Sequence, residues 1–95
     1  MIIAFDVDGT LINFDNTPNY RVIDILRWFQ QNGDRIIIWS GGGMNYAEHW
    51  NNKLGLNADE VVFKTKESAL KINPDIAFDD EFINLGKVNI KINNF

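Results

Sequence analysis

The stretch IIAFDVDGTL, Ile2–Leu11, carries the features on which the fold prediction depends. Residues 2–7 are mostly apolar and indicate a buried strand, and the DGT that follows is typical of a turn. Two acids, Asp6 and Asp8, stand one residue apart at the end of this strand. Carboxylates are among the side chains least often buried without a partner. Their position therefore points to a functional site where the first strand ends.

The segment after this turn predicts a short loop at 12–17 and an amphipathic helix at 18–32. Thr17 before Pro18 suggests an N-cap followed by proline at the first helical position. Gly33 stands where a C-terminal glycine belongs. Apolar residues recur at helical spacing between these limits, at Val22, Ile25, Leu26 and Phe29.

The rest of the chain alternates between strand and helix patterns. Further strands are predicted at 35–39, 60–63, 75–78 and 88–92. The last of these alternates like an edge strand with one exposed face. We expect a helix at 44–54 and one or two helical turns at 66–71. The order βαβαβ(α)ββ predicts an α/β fold, namely a three-layer, Rossmann-like, mostly parallel sheet in a single domain over residues 1–95.

Composition excludes several classes of function. The net charge is −4 and the nine basic residues are scattered, so general nucleic-acid binding is not expected. The chain has no cysteine, and therefore no disulfide or thiolate metal site. Its first residues lack the basic region of a signal peptide, and no apolar run approaches the roughly 20 residues needed to span a membrane. We therefore expect a cytoplasmic protein without a membrane partner.

Polar residues follow four of the predicted strands. Because ligands of open parallel sheets bind outside the carboxyl ends of the strands, these residues should converge in space. They are Asp6 with Asp8, Ser40 with the glycines at 41–43, Lys64 or Lys66, and Asp79 with Asp80.

These features resemble the four motifs of the haloacid dehalogenase (HAD) superfamily, and within it the magnesium-dependent aspartyl phosphatases. The DVDGT at 6–10 is the specific part of this resemblance, whereas the serine and the lysine are weak signals when taken alone. The motifs occur in the right order and cover nearly the whole chain. The resemblance therefore implies a phosphate monoester hydrolase with a HAD-like core and a bound Mg²⁺.

The resemblance also implies roles for the acids. Asp6 would be the nucleophile, forming an aspartyl-phosphate, and also a metal ligand. Asp8 would act as general acid and base, and its main-chain carbonyl would bind the metal. Asp80 would bind Mg²⁺ while Asp79 pairs with the lysine, although these two roles could be exchanged. The charges involved require a metal as well, because a carboxylate can approach an anionic phosphate only if a cation screens the repulsion.

The remaining candidates would hold the phosphate. The hydroxyl of Ser40 and backbone N–H groups of Gly41 and Gly42 can donate to phosphate oxygens. Thr10, which we expect to brace the turn after the first strand, is grouped with these substrate-binding residues. A lysine is needed to hold the phosphate and steady the nucleophile. Lys64 directly follows the strand EVVF and is favoured, but Lys66 is close behind and stays an alternative.

Neither interval that could hold a cap domain is long enough to do so. Asp8 and Ser40 are 32 positions apart, and Ser40 and Asp79 are 39 apart. We therefore expect an open site that acts on a phosphorylated substrate of unspecified class. A bulky substrate, or a second subunit in a homo-oligomer, would then complete the open site.

Three other functions fit parts of the pattern. A receiver-like signalling module also phosphorylates an aspartate, but it carries its acidic pair after the first strand. A non-catalytic module could bind a phosphorylated partner, although pure binding would not need the acid-base group Asp8. A phosphotransferase would need a second substrate site, of which the sequence shows no sign.

Overall fold

The computed structural model describes residues 1–94, which form a five-stranded sheet and three helices. In chain order the elements are β1 (Ile2–Asp6), α1 (Tyr20–Gln31), β2 (Arg35–Ser40), α2 (Met44–Lys53), β3 (Glu60–Phe63), α3 (Lys66–Ile72), β4 (Ile76–Asp79) and β5 (Val88–Lys91). The strand order is β3-β2-β1-β4-β5, and every neighbouring pair is parallel. The predicted α/β, Rossmann-like fold is confirmed, and the sheet is parallel throughout rather than mostly so.

The three layers follow from the alternation of side chains along β1 and β2. Ile3, Phe5 and the isoleucines at 36 and 38 pack with α1 and α2 on one face of the sheet. Ala4, Ile37 and Trp39 pack with α3 on the other face. Because both faces of the central strands are covered, these strands are apolar at nearly every position. The phenyl ring of Phe5 stacks on that of Phe78, with 4.8 Å between the ring centroids, and so joins β1 to β4 within the core.

Helix α1 begins later than the sequence predicts. Its N-cap is Asn19 rather than Thr17, and Pro18 lies before the helix. The hydroxyl of Thr17 instead donates to Asp15 at 2.6 Å, so the loop retains this group for its own hydrogen bonding. The helix ends as predicted before Gly33, which has a φ of +82° that suits glycine.

The buried face of α1 also differs in one position. Val22, Ile23 and Leu26 are buried, whereas Ile25 is 37% exposed. Phe29 packs against the core as expected. Ile23 takes the place of Ile25 because the apolar stripe is centred on Leu26, and Ile23 lies nearer that line on a helix of 3.6 residues per turn.

No cap domain occurs within residues 1–94. A loop and α1 fill the chain between β1 and β2, and α2, β3 and α3 fill the chain between β2 and β4. Among the described residues, no helix combines the length and the apolar character that crossing a bilayer requires.

Candidate active site

Four strands of the parallel sheet place polar side chains at its carboxyl-terminal edge, where the strands end. Asp6 ends β1, Ser40 ends β2 and Asp79 ends β4, while Lys64 directly follows β3. The pairing of Asp6 with Trp39 and of Ser40 with Phe63 places these strand ends side by side. The residues predicted to converge from the sequence are therefore brought together by topology.

Lys64 joins the two buried acids of this edge. Its ammonium donates to Asp6 Oδ1 at 2.8 Å and to Asp79 Oδ2 at 2.9 Å. Its backbone N–H donates to the carbonyl of Ser40 at 2.9 Å, which fixes the start of its side chain. Burial opposes the charged form, but the two carboxylates outweigh it and raise the pKa of the Lys64 ammonium above its ordinary value. Lys64 is therefore held in its cationic form.

Lys66 does not reach this cluster. It begins α3, is exposed, and lines a separate groove with Leu70 and Asn73. Of the two lysines left open by the sequence, the geometry favours Lys64. Lys66 therefore lies outside the site, contrary to the alternative that placed it there.

Three acids of the cluster could hold a metal ion. Carboxylate oxygens of Asp6, Asp79 and Asp80 all lie within 4.8 Å of one another. Asp79 is fully buried and committed to Lys64, whereas Asp80 is half-buried and reaches the cavity above the strand ends. Three carboxylates face one lysine, so the site has an excess of negative charge. Carboxylate oxygens at this spacing suit a hard divalent cation, so these three aspartates fit the Mg²⁺ expected from the sequence.

Burial first, and the nearby negative charge second, raise the pKa of two of these acids. Burial raises the pKa of Asp6 to about 7, against the opposing hydrogen bond from Lys64, and the nearby charge of Asp79 adds to the rise. Burial also raises the pKa of Asp80, as does its hydrogen bond with Asp79. Like charges in a low-dielectric pocket favour the protonated forms, and a bound cation would reverse that preference.

The turn after β1 depends on Gly9. Its φ of +74° lies in the left-handed region, and a Cβ at this position would stand 2.6 Å from Oδ2 of Asp80 and 2.7 Å from the ring of Phe14. The carbonyl of Val7 accepts three backbone hydrogen bonds, from residues 10, 11 and 12, which tightens the same turn. Glycine is therefore required here both for its backbone conformation and for the close approach of Asp80.

Thr10 differs from its predicted role in substrate binding. Its side chain is completely buried and does not line the cavity. The hydroxyl donates to Asp6 Oδ2 at 3.4 Å, and its carbonyl accepts from the side-chain amide of Asn19 at 3.0 Å. Thr10 therefore braces Asp6 and the turn, as one part of the prediction had it, and cannot touch a ligand.

Ser40 and the glycines form the opposite wall of the cavity. The Ser40 hydroxyl accepts from the backbone N–H of Gly42 at 3.0 Å. A Cβ at Gly41 would meet no atom within 4 Å, so the space in front of this residue is open. The cavity has a volume of about 330 Å³. The predicted residues that line it are Asp6, Asp8, Ser40, Gly41, Gly42, Lys64 and Asp80.

Sequence reasoning missed three residues of this site. Phe14 and Glu81 also line the cavity, and Glu81 donates its backbone N–H to Asp79 Oδ1 at 3.0 Å. Tyr46, in the first turn of α2, donates its hydroxyl to Asp8 Oδ1 at 2.6 Å. For Tyr46, position in the chain places the residue near this edge, because the first turn of a helix that follows a strand of this sheet faces it, but position does not give the direction of the ring. His49, one turn further along, is exposed and contacts Trp50 instead.

The fold and the site agree with a comparison to known families. A family model described as haloacid dehalogenase-like hydrolase matches residues 3–70, a span that includes Asp6, Asp8, Ser40 and Lys64. No curated protein and no solved structure gives a significant match. The matched span covers well over half of the chain, and Asp6, Asp8, Ser40 and Lys64 within it line the cavity. The chain therefore belongs to the haloacid dehalogenase-like hydrolases.

Proposed function

We propose that this hydrolase is a Mg²⁺-dependent phosphatase that cleaves phosphate monoesters through an aspartyl-phosphate on Asp6. The observation that supports it most directly is the setting of the Asp6 carboxylate. Asp6 lines an open cavity, is hydrogen-bonded by Lys64 and Thr10, and has a second carboxylate, Asp80, beside it.

In the first step an oxygen of Asp6 attacks phosphorus, and the bond from phosphorus to the ester oxygen breaks. Asp8 gives its proton to the departing oxygen, so an alcohol leaves. The phosphate oxygens would accept hydrogen bonds from the Ser40 hydroxyl and from the backbone N–H of Gly41. The Gly42 N–H, which donates to Ser40 Oγ at 3.0 Å, would orient that hydroxyl. Lys64 holds Asp6 in place and contributes positive charge next to the phosphate.

In the second step Asp8, now ionised, accepts a proton from water. The water oxygen attacks phosphorus, the bond to Asp6 breaks, and inorganic phosphate leaves with Asp6 restored. Splitting the reaction in this way replaces one difficult displacement by two easier ones. Asp8 is exposed at the cavity, where it can meet both the leaving group and water.

Asp6, Asp80 and the main-chain carbonyl of Asp8 would hold Mg²⁺, with Asp79 next to them. When bound, the ion would supply the positive charge that lets an anionic phosphate come close to a carboxylate nucleophile.

The test is release of phosphate from an aryl phosphate with and without Mg²⁺. We expect the wild-type protein to turn over only with the metal and Asp6→Asn to lose turnover, because the amide is a poor nucleophile. Asp24→Asn, an exposed acid on α1, is the matched control and should behave as the wild type does. Unchanged turnover in Asp6→Asn would refute the mechanism. Metal-dependent phosphate binding without any turnover would instead support a non-catalytic binding module.

A further inference from the structure

The hydrogen bond between Tyr46 and Asp8 joins two elements that are distant in sequence. Tyr46 belongs to the first turn of α2, and Asp8 belongs to the turn after β1. The Tyr46 hydroxyl donates to Asp8 Oδ1 at 2.6 Å. That distance lies at the short end of the range for hydrogen bonds between oxygen atoms, so the two side chains are in close contact.

The ring of Tyr46 is itself held in place. It is partly buried against the core cluster beneath α1 and α2, and a Cβ at Gly42 would stand 3.3 Å from it. A tyrosine side chain has only two rotatable torsions, so packing the ring fixes the position of the hydroxyl.

The orientation of the Asp8 carboxyl depends on this one contact, whereas that of Asp6 is fixed by several neighbours. Asp6 is buried and is held by both Lys64 and Thr10. The Asp8 side chain is exposed, and Tyr46 is its hydrogen-bond partner among the described residues. With Oδ1 engaged by Tyr46, Oδ2 is the oxygen left to carry the proton that is passed to the leaving group.

We propose that Tyr46 is a positioning residue that holds the Asp8 carboxyl in the orientation for proton transfer to the leaving group. This inference rests on the proposed function. It follows that Tyr46 matters most where the departing oxygen needs a proton. An alkoxide is a poor leaving group and depends on the acid, whereas nitrophenolate leaves well without one.

The test compares kcat/KM of wild type and Tyr46→Phe on an alkyl phosphate and on p-nitrophenyl phosphate. This ratio reports steps up to departure of the leaving group. We expect a loss of about 10–10²-fold for the alkyl ester, a part of the 10²–10⁴-fold that general acid catalysis typically supplies, and no more than about threefold for the aryl ester. Tyr20→Phe, which removes an exposed hydroxyl on α1, is the matched control and should change neither value.

A double mutant gives an independent reading. In an Asp8→Asn background, Tyr46→Phe should add little further loss, because the group that it positions is already gone. Equal losses on both esters, or the same loss with and without Asp8, would overturn the positioning role while leaving the phosphatase intact. A wild-type protein that is inactive on both esters would overturn the proposed function and this inference with it.

Discussion

Lys64 donates to two carboxylates that are both almost completely buried, and this makes it the residue on which the site depends most directly. Its own side chain is 19% exposed. The free-energy cost of desolvating the Lys64 ammonium and the carboxylates of Asp6 and Asp79 is offset only while all three groups stay paired. Breaking such a buried pair from one side typically costs about 3–5 kcal/mol, because an uncompensated charge is left behind.

The two lysines of the β3–α3 segment provide a matched pair of substitutions. We expect Lys64→Ala to lower kcat/KM by about 10²–10³-fold and the free energy of unfolding by about 3 kcal/mol. Lys66→Ala should change the free energy of unfolding by less than about 0.5 kcal/mol, as an exposed residue does, and leave the rate near that of the wild type. Steady-state kinetics and urea unfolding measure both. A large loss of kcat/KM in Lys66→Ala and none in Lys64→Ala would show that Lys66, and not Lys64, is the lysine of the site.

Residues whose position follows from strand order could be located from the sequence. Asp6, Ser40, Lys64 and Asp79 each end or follow a strand, so a correct topology is enough to place them together. Tyr46 could not be assigned in this way, because its role depends on where its ring points within a helix. The same holds for Thr10, for which the sequence allows both a bracing and a substrate-binding role, because it does not show on which side of a turn a hydroxyl lies.

Aspartates link neighbouring strands at the end of the sheet opposite the site. Asp75 precedes β4, donates its backbone N–H to the carbonyl of Ile2 at 2.8 Å, and accepts the Ile2 N–H on Oδ2 at 2.7 Å. Asp59 precedes β3 and makes the same two contacts with Ile36 of β2, at 2.9 and 2.8 Å. These reciprocal bonds extend each pairing by one residue and support the register that aligns the functional edge.

The charge on Asp75 should make stability depend on pH in the acid range. The hydrogen bond from Ile2, and then that from Lys87, lower the pKa of Asp75 below its ordinary value. A lowered pKa in the folded state means that the ionised form stabilises the fold. This contribution is complete above the unfolded pKa of about 4 and is lost as the pH falls through the lower folded value.

Urea unfolding of wild type and Asp75→Asn at several pH values checks this expectation. Asparagine retains an oxygen acceptor for Ile2, so the substitution removes mainly the charge. We expect the free energy of unfolding of Asp75→Asn to be lower than that of wild type by a constant amount from pH 7 to about pH 5. Below about pH 4 this difference should become smaller. Asp24→Asn, on the surface of α1, should show no such narrowing. A difference that is unchanged or larger in acid would contradict the expected link between the ionisation of Asp75 and stability.

The start of α1 illustrates which element boundaries the sequence could not provide. Thr17 and Pro18 form a standard helix-start pattern, yet the loop at 12–17 satisfies the threonine through Asp15 and Asn13 instead. Asn19 becomes the N-cap residue while its side chain holds the carbonyl of Thr10. Hydrogen bonds within the loop, together with that between Asn19 and Thr10, therefore outweigh the capping propensity of Thr17, and no pattern within the helix reveals them.

The two faces of the sheet are covered unequally by helices. Helices α1 and α2 cover one face, whereas the seven-residue α3 covers the other and leaves a groove of about 570 Å³ beside it. Met44 and Phe63 line this groove close to the site and are about half exposed. The expectation that a second subunit completes the open site stays a prediction, and sedimentation of the purified protein checks it.

The distribution of charge implies a response of the whole molecule to metal. Asp6 and Asp79 share Lys64, and Asp80 lies beside them, so without a cation the mutual repulsion of these three carboxylates opposes folding. A ligand that binds only the folded state at a hundred times its Kd adds about 2.7 kcal/mol to the free energy of unfolding. A domain of this size gains roughly 4–8 °C in Tm for each kcal/mol.

We therefore expect saturating Mg²⁺ to raise the Tm by about 10 °C or more, and Asp80→Asn to remove most of this rise. In EDTA the same variant should melt no lower than wild type, because one repelling charge is gone. Asp8→Asn is the matched control, since it keeps the main-chain carbonyl that would bind the ion and should retain the Mg²⁺ response. NaCl at equal ionic strength separates specific binding from screening, which acts on all exposed charges alike. An equal rise with NaCl, or an undiminished rise in Asp80→Asn, would mean that these carboxylates do not hold the ion.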